Sequence, residues 1–270
     1  MNNMNKAFLS ITSFSILAIA FIAFQLIPIK AANPFLKNKS SFPLKGSVNS
    51  NNSKAVMIVM DASGSMSEPA KGASTKMLMS KTVLEEVLSK IDPSIPVGLR
   101  VYGSSNYIAD QFQSCRDSIL LVAPGTGNRG QMISKLRGIK PTGATPISYS
   151  LIEAIKDLDS IEAEHKSVVL ISDGKETCDR NPCSLAQTFK ARGIKMQFNV
   201  VGFDVNNDYE AKTQLECIAN STDGKFYTAE TSAQLADGVL SGINNTPNTI
   251  NLVKGRLGNV EDSENKEKKK

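Results

Sequence analysis

One histidine, four cysteines and no tryptophan occur among 270 residues, and these scarcities exclude several kinds of chemistry. The histidine, His165, stands just before an apolar run at 167–172 that reads as a buried strand. It therefore falls at the amino end of that strand, whereas open α/β sheets place their ligands at the carboxyl ends. A Ser-His-Asp triad built with Ser63 or Ser65 would need it on the opposite rim. Cysteine catalysis has no other imidazole to use. Aromatic residues are only 6% of the chain, and the net charge of +5 is spread over lysines such as Lys71, Lys76, Lys81, Lys135 and Lys140, with acidic residues between them. No basic run lies inside the folded part, so nucleic-acid binding is not expected. No Gly-x-x-x-x-Gly-Lys-Ser/Thr loop follows the first strand, and its turn lacks the glycine pattern of a dinucleotide site.

Charge is also missing from 7–29, which is flanked by Lys6 and Lys30. The run is long enough to span a bilayer. Ile29-Lys30-Ala31-Ala32 fits poorly the small residues of a signal-peptide cleavage site, and no cysteine near the run's end could accept a lipid. The expectation is a single-pass anchor with the rest of the chain extracytoplasmic; a cleaved signal and a secreted protein are the alternative. The chain then divides into a membrane segment at 1–32, a tether rich in Asn, Ser, Lys and Pro at 33–53, one domain at 54–245 and a charged tail at 246–270.

Cys115, Cys178, Cys183 and Cys217 all lie beyond the apolar run, and an even number in an exported chain permits disulfides. Cys178 and Cys183 flank Asp179-Arg180-Asn181-Pro182 and are expected to close a small loop, which leaves Cys115–Cys217 by subtraction. A four-cysteine zinc site would want paired short knuckles, and this spacing lacks them.

The domain alternates strand and helix patterns. Strands are expected at 54–60, 97–103, 118–122, 167–172, 195–203 and 225–229, and helices at 73–90, 128–137, 147–158, 183–192, 209–220 and 231–243. This order predicts a doubly wound α/β fold: a six-stranded, mostly parallel sheet with helices on both faces. The run at 118–122 follows its predecessor without an intervening helix, so it should be an antiparallel edge strand.

What is present in force is oxygen. Asp61-Ala62-Ser63-Gly64-Ser65 places a carboxylate and two hydroxyls directly after the first strand. Thr145 lies in a Gly-Ala-Thr-Pro turn before a helix, and Asp173 follows the 167–172 strand. Parallel strands bring their carboxyl ends to one rim, so Asp61 and Asp173 can be neighbours. Two carboxylates nearly cancel the charge of Mg²⁺, and hydroxyls suit such a hard cation as neutral ligands. The plainer alternative makes the serines and aspartates turn formers and helix caps. Glu68 and Glu176 read as solvated.

In these residues the chain resembles a von Willebrand factor type A domain of the bacterial exported kind, over about 54–245. The family's metal-ion-dependent adhesion site is Asp-x-Ser-x-Ser, then a Thr, then an Asp, matched here by Asp61, Ser63, Ser65, Thr145 and Asp173. The resemblance implies a Rossmann-like sheet, a bound Mg²⁺ (Mn²⁺ or Ca²⁺ as substitutes), and a protein partner that presents a Glu or Asp carboxylate to the metal. No catalysis is expected: Ser63 stands where a phosphoryl-transfer enzyme would carry a second Asp. A structural envelope-assembly role without metal-dependent binding is the alternative, and a Mg-dependent phosphohydrolase a lesser one.

Overall fold

Ala55, Val56, Met57, Ile58, Val59 and Met60 are all fully buried, which requires apolar cover on both faces of the strand that holds them. In the computed structural model, which describes residues 53–105 and 110–245, that strand is β1 (Lys54–Asp61), in the middle of a six-stranded sheet. The anchor or signal expected at 7–29, most of the tether and the tail at 246–270 lie outside the described residues. Among the described residues, no helix is long and apolar enough to cross a membrane.

The other strands are β2 (Val97–Tyr102), β3 (Ser118–Gly125), β4 (His165–Ser172), β5 (Met196–Phe203) and β6 (Phe226–Ala229), in the order β3-β2-β1-β4-β5-β6. All neighbours run parallel except β3, which is antiparallel to β2 at the edge, as its short connection predicts. Among its described residues, that connection holds only a single-turn helix, α2 (Gln111–Ser114). The edge strand runs to Gly125, three residues beyond the expected end at 122, because a register irregularity carries its pairing back to Val97.

Side-chain alternation divides the core. Val56, Ile58 and Met60 pack with residues of α1 (Lys76–Lys90), α3 (Arg129–Arg137) and α7 (Ser232–Asn244) on one face. Met57 and Val59 pack with α4 (Ile147–Asp159), α5 (Pro182–Ala191) and α6 (Tyr209–Asn220) on the other. This is the period-2 consequence of a strand buried on both faces. Helix α1 starts at Lys76 rather than 73, because Thr75 caps it by accepting from the Leu78 amide at 3.1 Å. One charge is fixed inside the frame. Arg100 on β2 donates to both Asp157 oxygens on α4, at 2.7 and 3.0 Å, and to the Ser118 carbonyl on β3 at 2.8 Å.

The chain crosses from β3 on one side of β1 to β4 on the other, so the order of strands reverses between β1 and β4. A crevice at the carboxyl ends opens at such a switch point. Asp61 ends β1 and Asp173 follows β4, so the topology delivers both to that crevice.

Candidate metal centre

Asp61 is fully buried, a costly place for a carboxylate unless donors surround it. Its Oδ1 accepts from the Ser63 amide at 2.7 Å, and its Oδ2 accepts from the Tyr102 hydroxyl at 2.7 Å and the Ser172 hydroxyl at 2.6 Å. The two hydroxyl partners come from the ends of β2 and β4, the two strands that flank β1. Burial still pushes the Asp61 carboxyl above its ordinary range, against the pull of the Ser172, Ser63 and Tyr102 hydrogen bonds. Tyr102, buried and facing that carboxylate, is held well above its usual value.

After Ser63 the chain forms a 3-10 turn, Gly64–Ser67. Ser63 occupies the cap position but its side chain makes no capping bond there, contrary to a plain turn-forming role. Its Oγ lies instead 3.1 Å from Ser65 Oγ, and Ser65 Oγ donates to Asp173 Oδ1 at 2.7 Å. The two serines thus form a chain of hydroxyls leading from the first loop to the second aspartate.

The turn carrying Thr145 is tied to the same loop. Gly64 N donates to the Gly143 carbonyl at 2.9 Å, Thr142 N to the Ala62 carbonyl at 3.1 Å, and Gly143 N to the Gly103 carbonyl at 2.8 Å. Gly103 is essential to this close approach. It adopts φ +70°, and a Cβ there would sit 2.6 Å from the Ala144 carbonyl oxygen and 2.8 Å from the Ser63 nitrogen. The three expected stretches, 61–65, 145 and 173, therefore meet at one rim, with Ser63, Thr145 and Asp173 all buried. His165 begins β4, at the far end of the strand from Asp173.

Several participants were not anticipated. Lys76, which in the sequence is one lysine in a scattered set, is 95% buried and donates from Nζ to Asp173 Oδ2 at 3.1 Å and Glu68 Oε2 at 2.9 Å. Asp204 Oδ2 lies 3.3 Å from the same ammonium. Burial works against the charged lysine, but Glu68 and Asp173 outweigh it and raise its pKa. Asp173 is pushed up to about 6, first by burial and then by the nearby Asp61 charge; Ser65 and Lys76 offset this only in part. Glu68 stays exposed, though ion-paired rather than simply solvated. Glu176 is not solvated at all: it is buried, and accepts from the Ser148 amide at 2.7 Å and the Cys178 amide at 3.1 Å. Burial pushes its carboxyl up. The sequence signal for it was the free amino end of α4, whose Pro146 cap offers no side-chain acceptor.

The cysteine pairing corrects the expectation. Cys115 is bonded to Cys178 and Cys183 to Cys217, not Cys178 to Cys183 and Cys115 to Cys217. The reason is local. Asn181 caps α5 through the Ser184 amide and Pro182 opens the helix, so Cys183 sits in the first turn of α5, bonded across to α6. Cys178 stays in the preceding loop, beside the end of α2. With all four cysteines bonded, a four-cysteine zinc site is also excluded.

Among the described residues, no group of three or more His, Cys, Asp or Glu side chains is arranged to hold a metal ion. A cation here would depend on hydroxyl oxygens, and the residues fit that demand. Asp61 and Asp173 supply two buried negative charges beside three hydroxyl-bearing residues, and the Lys76 ammonium already lies where positive charge is needed.

Known proteins share this frame. The B. subtilis (strain 168) protein YwmC is 34% identical over 179 residues, 65% of this chain and 77% of that one. An aerotolerance-related membrane protein from Bacteroides fragilis superposes with a TM-score of 0.55 at 18% identity, covering 71% of this chain and 99% of that one. Proximal thread matrix protein 1 from the mussel byssus, with a zinc-occupied adhesion-site motif, gives a TM-score of 0.51 at 14% identity over 70% of this chain and 45% of that one. The family model for the von Willebrand factor type A domain matches residues 55–240, and the chain belongs to that family.

Proposed function

We propose that this chain is an extracytoplasmic, metal-dependent protein-binding module, and not an enzyme. Asp61, Ser63, Ser65, Thr145 and Asp173 would hold a divalent cation, Mg²⁺ by its preference for hard oxygen ligands. When bound, the cation supplies a coordination position for a Glu or Asp carboxylate from a partner protein. The observation that carries this reading is the convergence of two buried carboxylates at the ends of adjacent parallel strands, Asp61 held by the Ser63 amide and Asp173 reached from the same loop through the Ser63 and Ser65 hydroxyls.

The chain's own residues divide the work. Asp61 and Asp173 offset the cation's charge, while Tyr102 and Ser172 fix the Asp61 carboxylate from behind. Lys76 orients Asp173 and adds a positive charge beneath the site, which favours an acidic partner over a basic one. The mussel protein's zinc-occupied motif supports a divalent cation in this fold. Two disulfides that use all four cysteines support an oxidising compartment.

Capture of partners from envelope extract by the full chain tests the reading. Capture should be lost with EDTA, with Asp61→Ala and with the Ser63→Ala/Ser65→Ala pair. Capture that survives all three in a folded protein would rule the module out as metal-dependent. Turnover of phosphate esters that requires Asp61 and Mg²⁺ would replace it with an enzyme.

A further inference from the structure

Thr145 is the one site residue carried by neither end strand of the aspartate pair, and its turn is held from two sides. Thr145 N donates to Thr177 Oγ1 at 2.8 Å, and Thr177 N donates back to the Thr145 carbonyl at 3.2 Å. From the other side, Ala144 N donates to Ser114 Oγ at 2.9 Å, and Ser114 is buried. Ser114 and Thr177 are far apart in sequence, yet each immediately precedes a cysteine, and those two cysteines, Cys115 and Cys178, are bonded to each other. The disulfide thus closes a ring around the 144–145 turn: Cys115, Ser114, the turn, Thr177, Cys178.

We infer that the Cys115–Cys178 bridge, acting through Ser114 and Thr177, is a positioning device that sets the affinity of the candidate site for its divalent cation. The inference rests on the metal-site reading above. Its physical basis is preorganisation. A neutral hydroxyl is a weak ligand, and it contributes only if the turn that carries it is already in place. The α2 side of the clamp has little stiffness of its own, since α2 is a single turn of four residues. Bonding Cys115, the residue that caps α2, to the loop after Asp173 joins that side to β4 through a covalent link. The second bridge, Cys183–Cys217, joins α5 to α6 and serves as the control.

Supporting residues around a metal typically alter affinity by about 10–100-fold, and that is the scale to look for. Mg²⁺ affinity of the full chain is measured by titration calorimetry, alongside thermal unfolding in EDTA. Thr177→Val removes the acceptor but leaves both disulfides, and should weaken Mg²⁺ binding at least tenfold; Thr177→Ser keeps the hydroxyl and should restore it. Ser114→Ala should weaken it in the same direction. Cys115→Ser/Cys178→Ser should weaken it as much, and adding Thr177→Val to that pair should cost less than it does alone, because the two act through one clamp. Cys183→Ser/Cys217→Ser should leave Mg²⁺ affinity near its original value. Unchanged affinity in Thr177→Val and Ser114→Ala would overturn the clamp while leaving the metal site standing. An unaltered chain that binds no Mg²⁺ would instead overturn the proposed function and the clamp with it. If the Cys115→Ser/Cys178→Ser chain does not fold, the Thr177 and Ser114 variants alone decide.

Discussion

The Lys76 ammonium lies 3.1 Å from Asp173 Oδ2, in a pocket that leaves the lysine side chain 7% exposed and the aspartate side chain fully covered. It is a fixed positive charge under the rim where a cation is expected to bind. A lysine reaches there because α1 begins at Lys76, just after the first loop, so its long side chain can extend back towards the end of β4.

Lys76→Met should therefore destabilise the metal-free chain at neutral pH by about 3 kcal/mol, the usual scale for removing one partner of a buried ion pair. Added Mg²⁺ should recover more stability in this variant than in the original chain, because the two carboxylates would lack any other countercharge. Urea unfolding in EDTA and in excess Mg²⁺ measures both. Equal loss in the two conditions would mean that Lys76 and the cation do not act on the same charge.

Acid should release the metal earlier than ordinary carboxylates would. The Asp173 carboxyl is raised from 3.8 to about 6 by burial and by Asp61. A folded-state value above the unfolded one favours the protonated form. In the metal-free chain this contribution to stability is fully present below pH 3.8, and it is lost as pH rises through about 6. Mg²⁺ needs the ionised form, so its affinity should be level well above pH 6 and fall roughly tenfold per pH unit below it. Calorimetric titrations at about pH 7.5, 6.5 and 5.5 read this directly. A flat affinity across that range would argue that Asp173 does not hold the metal.

Asp157→Ala should destabilise the fold by about 3–5 kcal/mol, because it leaves the buried Arg100 guanidinium without its bidentate partner. The effect belongs to the frame linking β2, β3 and α4, so Mg²⁺ affinity per folded molecule should change little. Chemical unfolding combined with metal titration separates the two quantities.

Gly103→Ala tests the contact between loops. The added methyl would stand 2.6 Å from the Ala144 oxygen and 2.8 Å from the Ser63 nitrogen, at a backbone φ of +70°. The strained backbone alone costs on the order of 1–3 kcal/mol, and relieving the clash must separate the Ser63 loop from the Thr145 turn. Stability and Mg²⁺ affinity should both fall, in contrast to Asp157→Ala.

Much of this frame is legible in the sequence because its signals are local. Ala55–Met60 is apolar on both faces and can only be a central strand, and Asp61, Ser63 and Ser65 follow it within one turn. Asp173 follows a second such strand, β4, and parallel pairing is enough to bring the two aspartates to one rim. The edge strand β3 follows from the short link before it. The cysteine pairing is not legible in the same way, because closeness in sequence is not closeness in space. The start of α5 intervenes, so Cys183 is bonded to α6 and Cys178 to the end of α2.

The sequence alone marked Asp61, Ser63, Ser65, Thr145 and Asp173 as candidate cation ligands. It did so through residue type and position at strand ends, properties that one stretch of chain carries alone. What surrounds them comes from the assembled fold: Lys76 against Asp173, Tyr102 and Ser172 behind Asp61, and the Ser114 and Thr177 clamp on the Thr145 turn. Each of those contacts joins segments from different strands or loops. Sheet order and register set which of them meet, and no short pattern in the chain encodes that order.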